Sequence, residues 1–276
     1  MVEGDQVADV TSAAGDMNTL IAGGQQALDA VRRAAEQASK AALSEVQLLA
    51  PLPRTRKNIF CLGLNYKEHA AEGAAAGTGA DAEGPKYPVW FTKPYTAVCG
   101  PFDDIGIEPR ISTAYDWEVE LALIIGPEGK HVSKEKAYEH VWGYTIFNDF
   151  SVRDIQRRHG PPPQWFKGKS WDKGSPMGPW IVTADEMGSP ENLNIICRVN
   201  GVEKQKSNTG LMIFDIPSQI ADITEVLTLE PGDVISTGTP SGVGFARTPP
   251  EFLKAGDLME TEIEKIGVLR NRIVER

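Results

Sequence analysis

One short segment constrains this chain more than any other: Asp116-Trp-Glu-Val-Glu-Leu-Ala-Leu-Ile-Ile-Gly126. Trp117, Val119 and Leu121 alternate with Asp116, Glu118 and Glu120, the two-residue period of a β-strand. In a strand, Glu118 and Glu120 share one face, roughly 7 Å apart. The run then continues into Leu121–Ile125, which reads as buried. Carboxylates that lead into a core are costly without a partner, and two so close repel unless a cation lies between them or one takes a proton. Hard oxygen donors favour Mg²⁺, Mn²⁺ or Ca²⁺ over zinc. Taken alone, the segment also fits a half-exposed strand with a solvated acidic face.

A second segment shifts that balance. From Gly143 a β run ends at Asn148-Asp149, and Ser151-Val-Arg153-Asp154-Ile-Gln156 follows. Ser151 and Asp154 have the spacing of a capping box, which predicts a helix over Ser151–Arg158. Arg153 and Gln156 then share a face of its first turn. Asp149 would sit at a strand end beside a helix N-terminus, a place suited to binding ions. The simpler reading makes Asp149 a cap and Arg153 a partner of some surface acid.

The remainder reads as mostly β. Strands are predicted at Ile59–Leu64, Val89–Thr92, Trp117–Ile125, Trp142–Phe147, Trp180–Thr183, Asn194–Val199, Val234–Thr237 and Leu258–Ile263, with turns at Asn200-Gly201 and Pro231-Gly232-Asp233. Helices are predicted near Ser133–His140 and Pro217–Leu227. Residues 1–55 differ in character: Asp16 can cap a short helix, Gln25–Ala42 reads as an amphipathic helix and Glu45–Leu49 as a strand. This organisation predicts a small N-terminal α/β appendage over 1–55 and a catalytic domain over 56–276. The Ala- and Gly-rich stretch Ala70–Gly84 lacks bulky apolar anchors and is expected to form a mobile loop, with the role of an active-site lid. Gly160–Lys169 holds three prolines with Trp165 and Phe166, a stiff loop able to wall a pocket.

Composition narrows the function classes. The balance of 28 basic against 38 acidic residues, a formal net charge of −10, disfavours nucleic acid and anionic membranes as partners. No stretch has the length and apolarity of a membrane span, and Met1–Ala8 lacks the basic residues of a secretory leader. Cys61, Cys99 and Cys197 are sparse and unpaired in spacing, as in a reducing cytoplasm.

Taken in order, several motifs resemble the fumarylacetoacetate hydrolase superfamily. Gly63-Leu-Asn65-Tyr66-Lys-Glu-His69-Ala-Ala-Glu72 is similar to its GxNYxxHxxE, and Phe91-Thr-Lys93-Pro94 to its FxKP. Asp116-x-Glu118-x-Glu120-Leu, Asn148-Asp149-x-Ser-x-Arg153-Asp-x-Gln156 and Gly168-Lys169-Ser-Trp-Asp172 are similar to DxExEL, NDxSxRDxQ and GKSxD. Gly238-Thr239-Pro240-Ser-Gly242-Val-Gly244 resembles GTPxGVG, and Leu253 to Asn271 the family's C-terminal strand pair. The resemblance runs from about residue 57 to 272. It implies a mixed, β-rich α+β fold, the family's β-sandwich roll, and a homodimer. It places the metal ligands on Glu118, Glu120 and Asp149 and the substrate contacts on Arg153, Gln156, Lys169 and Thr239. It makes His69 and Glu72 a water-activating pair, with Lys169 stabilising an enolate. His131, His140 and His159 are expected at the surface.

The expected activity is therefore Mg²⁺- or Mn²⁺-dependent hydrolysis of a carbon–carbon bond in a 2,4-dioxo acid, with Ca²⁺ a third candidate metal. Decarboxylation of oxaloacetate-like acids and isomerisation of unsaturated 2-oxo acids are alternatives on the same scaffold. A metal-stabilised domain that only binds a partner fits poorly with His69, Glu72 and Lys169.

Overall fold

A computed structural model describes residues 1–160 and 163–276. Two facing sheets make the body. The larger has seven strands in the order Val89–Lys93, Ile59–Gly63, Val234–Ser236, Val119–Ile125, Val141–Asn148, Ser175–Thr183, Val98–Cys99. The smaller has five, in the order Val202–Asn208, Asn194–Val199, Leu258–Ile263, Gly267–Glu275, Ile105–Ile107. Most pairings are antiparallel, but Val234–Ser236 runs parallel to Ile59–Gly63, and Gly267–Glu275 parallel to Ile105–Ile107.

The strand Val119–Ile125 lies in the middle of the larger sheet and is buried throughout. Val119, Leu121, Leu123 and Ile125 join the core between the sheets, with Ile195, Met259 and Leu269 opposite. Ala122 and Ile124 point the other way, into a second cluster with Ile59, Phe147, Ile21 and Leu52. A strand buried on both faces has no polar side, which is why Leu121–Ile125 shows no alternation. Glu120 is the exception on the outer face.

Residues at the N-terminus form their own sheet of Val2–Glu3, Gln6–Ala8 and Lys40–Ala42, with helices Met17–Ala22 and Gly24–Gln37. Asp16 caps the first of these through Thr19 N–H at 2.7 Å. The predicted helix to Ala42 ends earlier, at Gln37, because Lys40–Ala42 pairs with Gln6–Ala8. Glu45–Leu49 is not a strand; Leu43–Glu45 is a single 3₁₀ turn and no strand forms beyond it.

The hairpin at Asn200-Gly201 forms as predicted, both residues with positive φ (52° and 76°). Lys134–His140 is 3₁₀ rather than α, and Ile216–Thr224 is a helix capped by Asp215 with Pro217 in its first turn. His131 and His159 are exposed and His140 is half-buried, its Nδ1 3.0 Å from the Pro127 carbonyl. Among the described residues, no helix is long and apolar enough to cross a membrane.

The predicted loop Ala70–Gly84 is also different. Lys67–Ala75 is a helix in which His69, Ala70 and Gly73 are buried, so small side chains anchor it by close approach where bulky ones are missing. Of the predicted stiff loop, Pro161 and Pro162 lie outside the described residues, while Trp165 packs edge-on against Phe91 at 5.2 Å.

Leu269 is fully buried between the sheets. Leu269→Ala should lower the unfolding free energy by about 2–5 kcal/mol in urea titration, whereas Val202→Ala, at a position 56% exposed, should change it by less than about 0.5 kcal/mol. Equal losses would place the core elsewhere.

Candidate metal and substrate site

The three predicted carboxylates meet. Glu118 immediately precedes the central strand and Glu120 lies within it. The neighbouring strand ends at Asn148, which pairs with Val119 and so places Asp149 beside Glu118. Asp149 N–H donates to the Glu118 carbonyl at 2.8 Å, and Glu118 N–H to Asn148 Oδ1 at 3.2 Å. One carboxylate oxygen from each of Glu118, Glu120 and Asp149 lies within 4.8 Å of the others, and all three residues are buried.

Two of the three carry cationic partners. Lys169 Nζ donates to Glu118 Oε2 at 2.7 Å and to Asp149 Oδ2 at 2.6 Å. Arg153 Nη2 donates to Glu118 Oε1 at 2.6 Å. Lys93 Nζ, with no exposed surface, donates to Asp149 Oδ1 at 2.6 Å and to the Phe150 carbonyl at 3.0 Å. Glu120 receives neutral donors, Ser236 Oγ and Gly238 N–H, and among the described residues no cation lies within 4.0 Å of it.

The electrostatics follow these partners. Burial by itself would raise the Glu118 carboxyl, but Lys169 and Arg153 outweigh it and hold Glu118 well below the usual range. Burial, then Asp149 and Glu118, push Glu120 well above it. Burial would likewise strip Lys169 of its proton, but Asp149 and Glu118 reverse that and keep it an ammonium ion. With every carboxyl ionised, Asp116, Glu118, Glu120 and Asp149 would outnumber Lys93, Lys169 and Arg153 by one charge, and Glu120, the one without a cationic partner, is the group pushed toward its protonated form. A hard dication among these oxygens could take the place of that proton, so the donor set fits Mg²⁺, Mn²⁺ or Ca²⁺.

Arg153 reaches this cluster by a different route from the one predicted. Ser151 does not cap a helix; it pairs in extended form with Asp116, and its hydroxyl donates to the Asp149 carbonyl at 2.9 Å. The helix begins two residues later, at Arg153–Arg157, and Asp154 accepts from Ser112 Oγ at 2.7 Å instead of closing a capping box. The extended pairing carries Arg153 to Asp116, with Nε 2.7 Å from Oδ2. Asp116, predicted on the same face as the two glutamates, thus serves as a scaffold, also accepting from Gly244 N–H at 2.7 Å and Phe245 N–H at 3.1 Å. Gln156 Oε1 accepts from Arg153 Nη1 at 3.2 Å. Gly168 lets the Lys169 segment approach this helix, because a Cβ there would sit 2.5 Å from Gln156 Cβ.

His69 and Glu72 also meet. The helix Lys67–Ala75 sets them one turn apart, with His69 Nδ1 3.2 Å from Glu72 Oε2. Glu72 Oε1 accepts from Gly242 N–H at 2.9 Å. Gly242 has φ of 101°, and a Cβ there would fall 2.1 Å from the Lys204 carbonyl, so this position is closed to other residues. Thr239 reaches the same place, but its hydroxyl donates to the Val119 carbonyl at 3.0 Å and accepts from Gln205 Nε2 at 2.8 Å. Gln205 Oε1 in turn accepts from Val119 N–H at 3.0 Å, pinning the ligand strand between Glu118 and Glu120.

All of the predicted site residues except Glu72 line one cavity of about 530 Å³, together with Phe91, Trp165, Arg157 and Phe245. That volume suits a small organic acid. The candidate site residues named from sequence omitted Lys93, Asp116, Gln205 and Ser236. The first two stand inside quoted motifs, FxKP and DxExEL; Gln205 and Ser236 carried no sequence signal, since only folding brings them to the cluster.

The family model for the fumarylacetoacetate (FAA) hydrolase C-terminal region matches residues 58–274. Oxaloacetate tautomerase YisK of Bacillus subtilis (strain 168) is 43% identical over 268 residues, spanning 94% of this chain and 86% of its own. The fumarylacetoacetate hydrolase of psychrophilic Exiguobacterium antarcticum superposes with a TM-score of 0.84 at 38% identity, over 99% of this chain and 94% of its own. Maleylpyruvate hydrolase from Sphingobium sp. SYK-6, solved with manganese (II) ion and pyruvate, gives 0.82 at 30% identity, over 100% and 95%. The β-rich sandwich fold expected from the motifs is thus the fold found.

Metal-stripped protein should bind about one Mn²⁺ per chain in calorimetry. Glu120→Ala should weaken that binding by more than the 10- to 100-fold typical of losing an outer partner. A variant with alanine at Glu118, Glu120 and Asp149 that binds Mn²⁺ as tightly as the parent would mean the ion is held elsewhere.

Proposed function

The chain belongs to the fumarylacetoacetate hydrolase family and is an enzyme, and from that premise we propose that it interconverts the keto and enol forms of oxaloacetate or a close 2-oxo acid analogue. Glu118, Glu120 and Asp149 would hold a divalent ion for this reaction. When bound, such an ion supplies Lewis-acid stabilisation of negative charge on a keto oxygen.

The chain's own groups do the rest. Tautomerisation moves one proton between carbon and oxygen, so it needs a base that takes the proton from the carbon, a cation that steadies the oxygen's charge meanwhile, and return of the proton from that base to the oxygen. His69 is the base: Glu72 engages Nδ1, which leaves Nε2 to take the proton from the carbon beside the keto group. Gly242 N–H holds Glu72 and so fixes the imidazole's orientation. Lys169 commits two of its three N–H donors to Glu118 and Asp149, and the third can face the oxygen that gains charge. Arg153, oriented by Asp116, Glu118 and Gln156, would hold the substrate's near carboxylate. Phe91 and Trp165 keep water from the cavity wall. The observation that carries this reading is His69, held from behind by Glu72, in the same cavity as the Lys169-bridged carboxylates; the 43% identity to an oxaloacetate tautomerase supports the choice of reaction.

Carbon–carbon hydrolysis of a 2,4-dioxo acid, the expectation drawn from the motifs, is the second reading. The likeness to maleylpyruvate hydrolase favours it, and the same imidazole could activate water.

Three assays on the Mn²⁺-loaded protein separate the readings: loss of the oxaloacetate enol band, pyruvate release from oxaloacetate, and cleavage of an acylpyruvate. Enol conversion should be the fastest by a wide margin. His69→Ala should slow it by about 10²–10⁴ while sparing Mn²⁺ binding, and Lys169→Met should also abolish it. Acylpyruvate cleavage without enol conversion would replace the first reading with the second, and rapid pyruvate release would make the enzyme a decarboxylase.

A further inference from the structure

Four basic side chains with fixed charge stand at or just beneath the cavity: Lys93, Lys169, Arg153 and Arg157. Three are answered by carboxylates, at 2.6 Å for Lys93 with Asp149, 2.6 Å for Lys169 with Asp149, and 2.6 Å for Arg153 with Glu118. Arg157 lines the cavity, yet among the described residues no carboxylate oxygen lies within 4.0 Å of it. Its placement follows from the helix Arg153–Arg157, in which i and i+4 share a face. Both guanidinium groups therefore lie against one aromatic ring, with their central carbons 4.5 Å (Arg153) and 4.3 Å (Arg157) from the Phe245 centroid. The backbone that carries Phe245 is held by its N–H, which donates to Asp116 Oδ2 at 3.1 Å.

Two like charges on one helix face repel, and the ring relieves that only in part. Burial and then Arg153 lower the proton affinity of Arg157, with Asp116 opposing. Like Glu120, Arg157 lines the cavity without an oppositely charged partner among the described residues. An anion in the cavity would neutralise it, and a guanidinium pairs with a carboxylate through two parallel hydrogen bonds.

We propose that Arg157 receives the far carboxylate of a dicarboxylic 2-oxo acid and so selects such acids over monocarboxylic ones. This rests on the reading of the cavity as a 2-oxo acid site. The near carboxylate and keto oxygen belong to the inner cluster of Lys169, Arg153 and the three metal-ligand candidates. Arg157 stands one helical turn from Arg153 and is exposed where Arg153 is buried, so the far end of a substrate held by the inner cluster would meet it on the solvent side. It is a specificity-determining residue: it makes no contact with the carbon or oxygen that exchange the proton.

The test compares oxaloacetate with 2-oxobutyrate, which keeps the carbon chain and replaces the far carboxylate by a methyl group. Arg157→Gln and Arg157→Lys alter a solvent-accessible side chain outside the core, so both variants should fold. Calorimetry on Mn²⁺-loaded protein reads binding whether or not turnover occurs. Arg157→Gln should weaken oxaloacetate by about 10- to 100-fold, the usual cost of a charged hydrogen bond, and leave 2-oxobutyrate within about twofold. Arg157→Lys should restore part of the loss. In kinetics the KM for oxaloacetate should rise with kcat nearly unchanged. Unchanged oxaloacetate binding in Arg157→Gln, or equal weakening of both acids, would overturn the assignment. A parent enzyme that binds oxaloacetate in this Arg157-dependent way without converting its enol would overturn the proposed reaction and leave the assignment standing.

Discussion

The Lys169 ammonium ion, shared between Glu118 and Asp149, is the contact on which the site depends. Buried carboxylates this close cannot all ionise without compensation. Lys169 compensates two of them at once, with Lys93 behind Asp149 and Arg153 behind Glu118. The cations leave Glu120 without a cationic partner, so the cost of crowding the carboxylates falls on one side chain, which is pushed toward its protonated form. That asymmetry shows in the opposite directions in which Glu118 and Glu120 are pushed. Removing Lys169 would therefore disturb both the reaction and the geometry of the ligands, because an unpaired buried charge is among the costliest defects a core can carry.

The fold supplies this cluster by strand adjacency. Pairing of Asn148 with Val119 sets Asp149 against Glu118, and burial of the central strand on both faces fixes its register. A one-residue slip would turn Glu120 into the core between the sheets. Elements from the rest of the chain then lock the arrangement. Gln205, on the smaller sheet, holds the backbone between the two glutamates, and Asp116 binds Arg153 to the glycine-rich loop at Gly244. Gly242, in that loop, holds Glu72 behind His69. His69, the carboxylates and Arg153 are thus tied to one loop, which couples their positions.

Relatives with tautomerase and hydrolase names share this scaffold. On the proposed reading, both reactions would place negative charge on the keto oxygen of a 2-oxo acid, and the Lys169 cluster would serve that charge in either case. On the same reading, Phe245 and Arg157, which lie together in the cavity lining, would meet the far end of the substrate.

Much of this was legible in the sequence. The strand period of Asp116–Leu121 put Glu118 and Glu120 on one face, and the Asn148-Asp149 segment shifted the balance away from a solvated acidic strand. The predicted strands from Ile59 onward lie at hydrophobic runs between turn residues, though Val98–Cys99, Ile105–Ile107 and Val202–Asn208 were not among them. These are local signals, since strand period and turn chemistry act over a few residues. The motifs also placed His69, Glu72, Lys169 and Arg153 at one site, and the structure brings them there. What the sequence could not decide was every contact that depends on long-range closure. Ser151 has the spacing of a helix cap, but pairing with Asp116 won, because Arg153 gains a buried carboxylate only from the extended chain. Residues 67–75 lacked apolar anchors and still formed a helix, because small residues can pack closely against a neighbouring loop. Lys93 stood in a quoted motif without a role and Gln205 carried no signal, and only the assembled sheets bury them beside Asp149 and Val119. Chemical type was written in the sequence; which group would be left without an opposite partner, Glu120 in the interior and Arg157 toward solvent, was decided by tertiary structure, because compensation depends on distances between segments far apart in the chain.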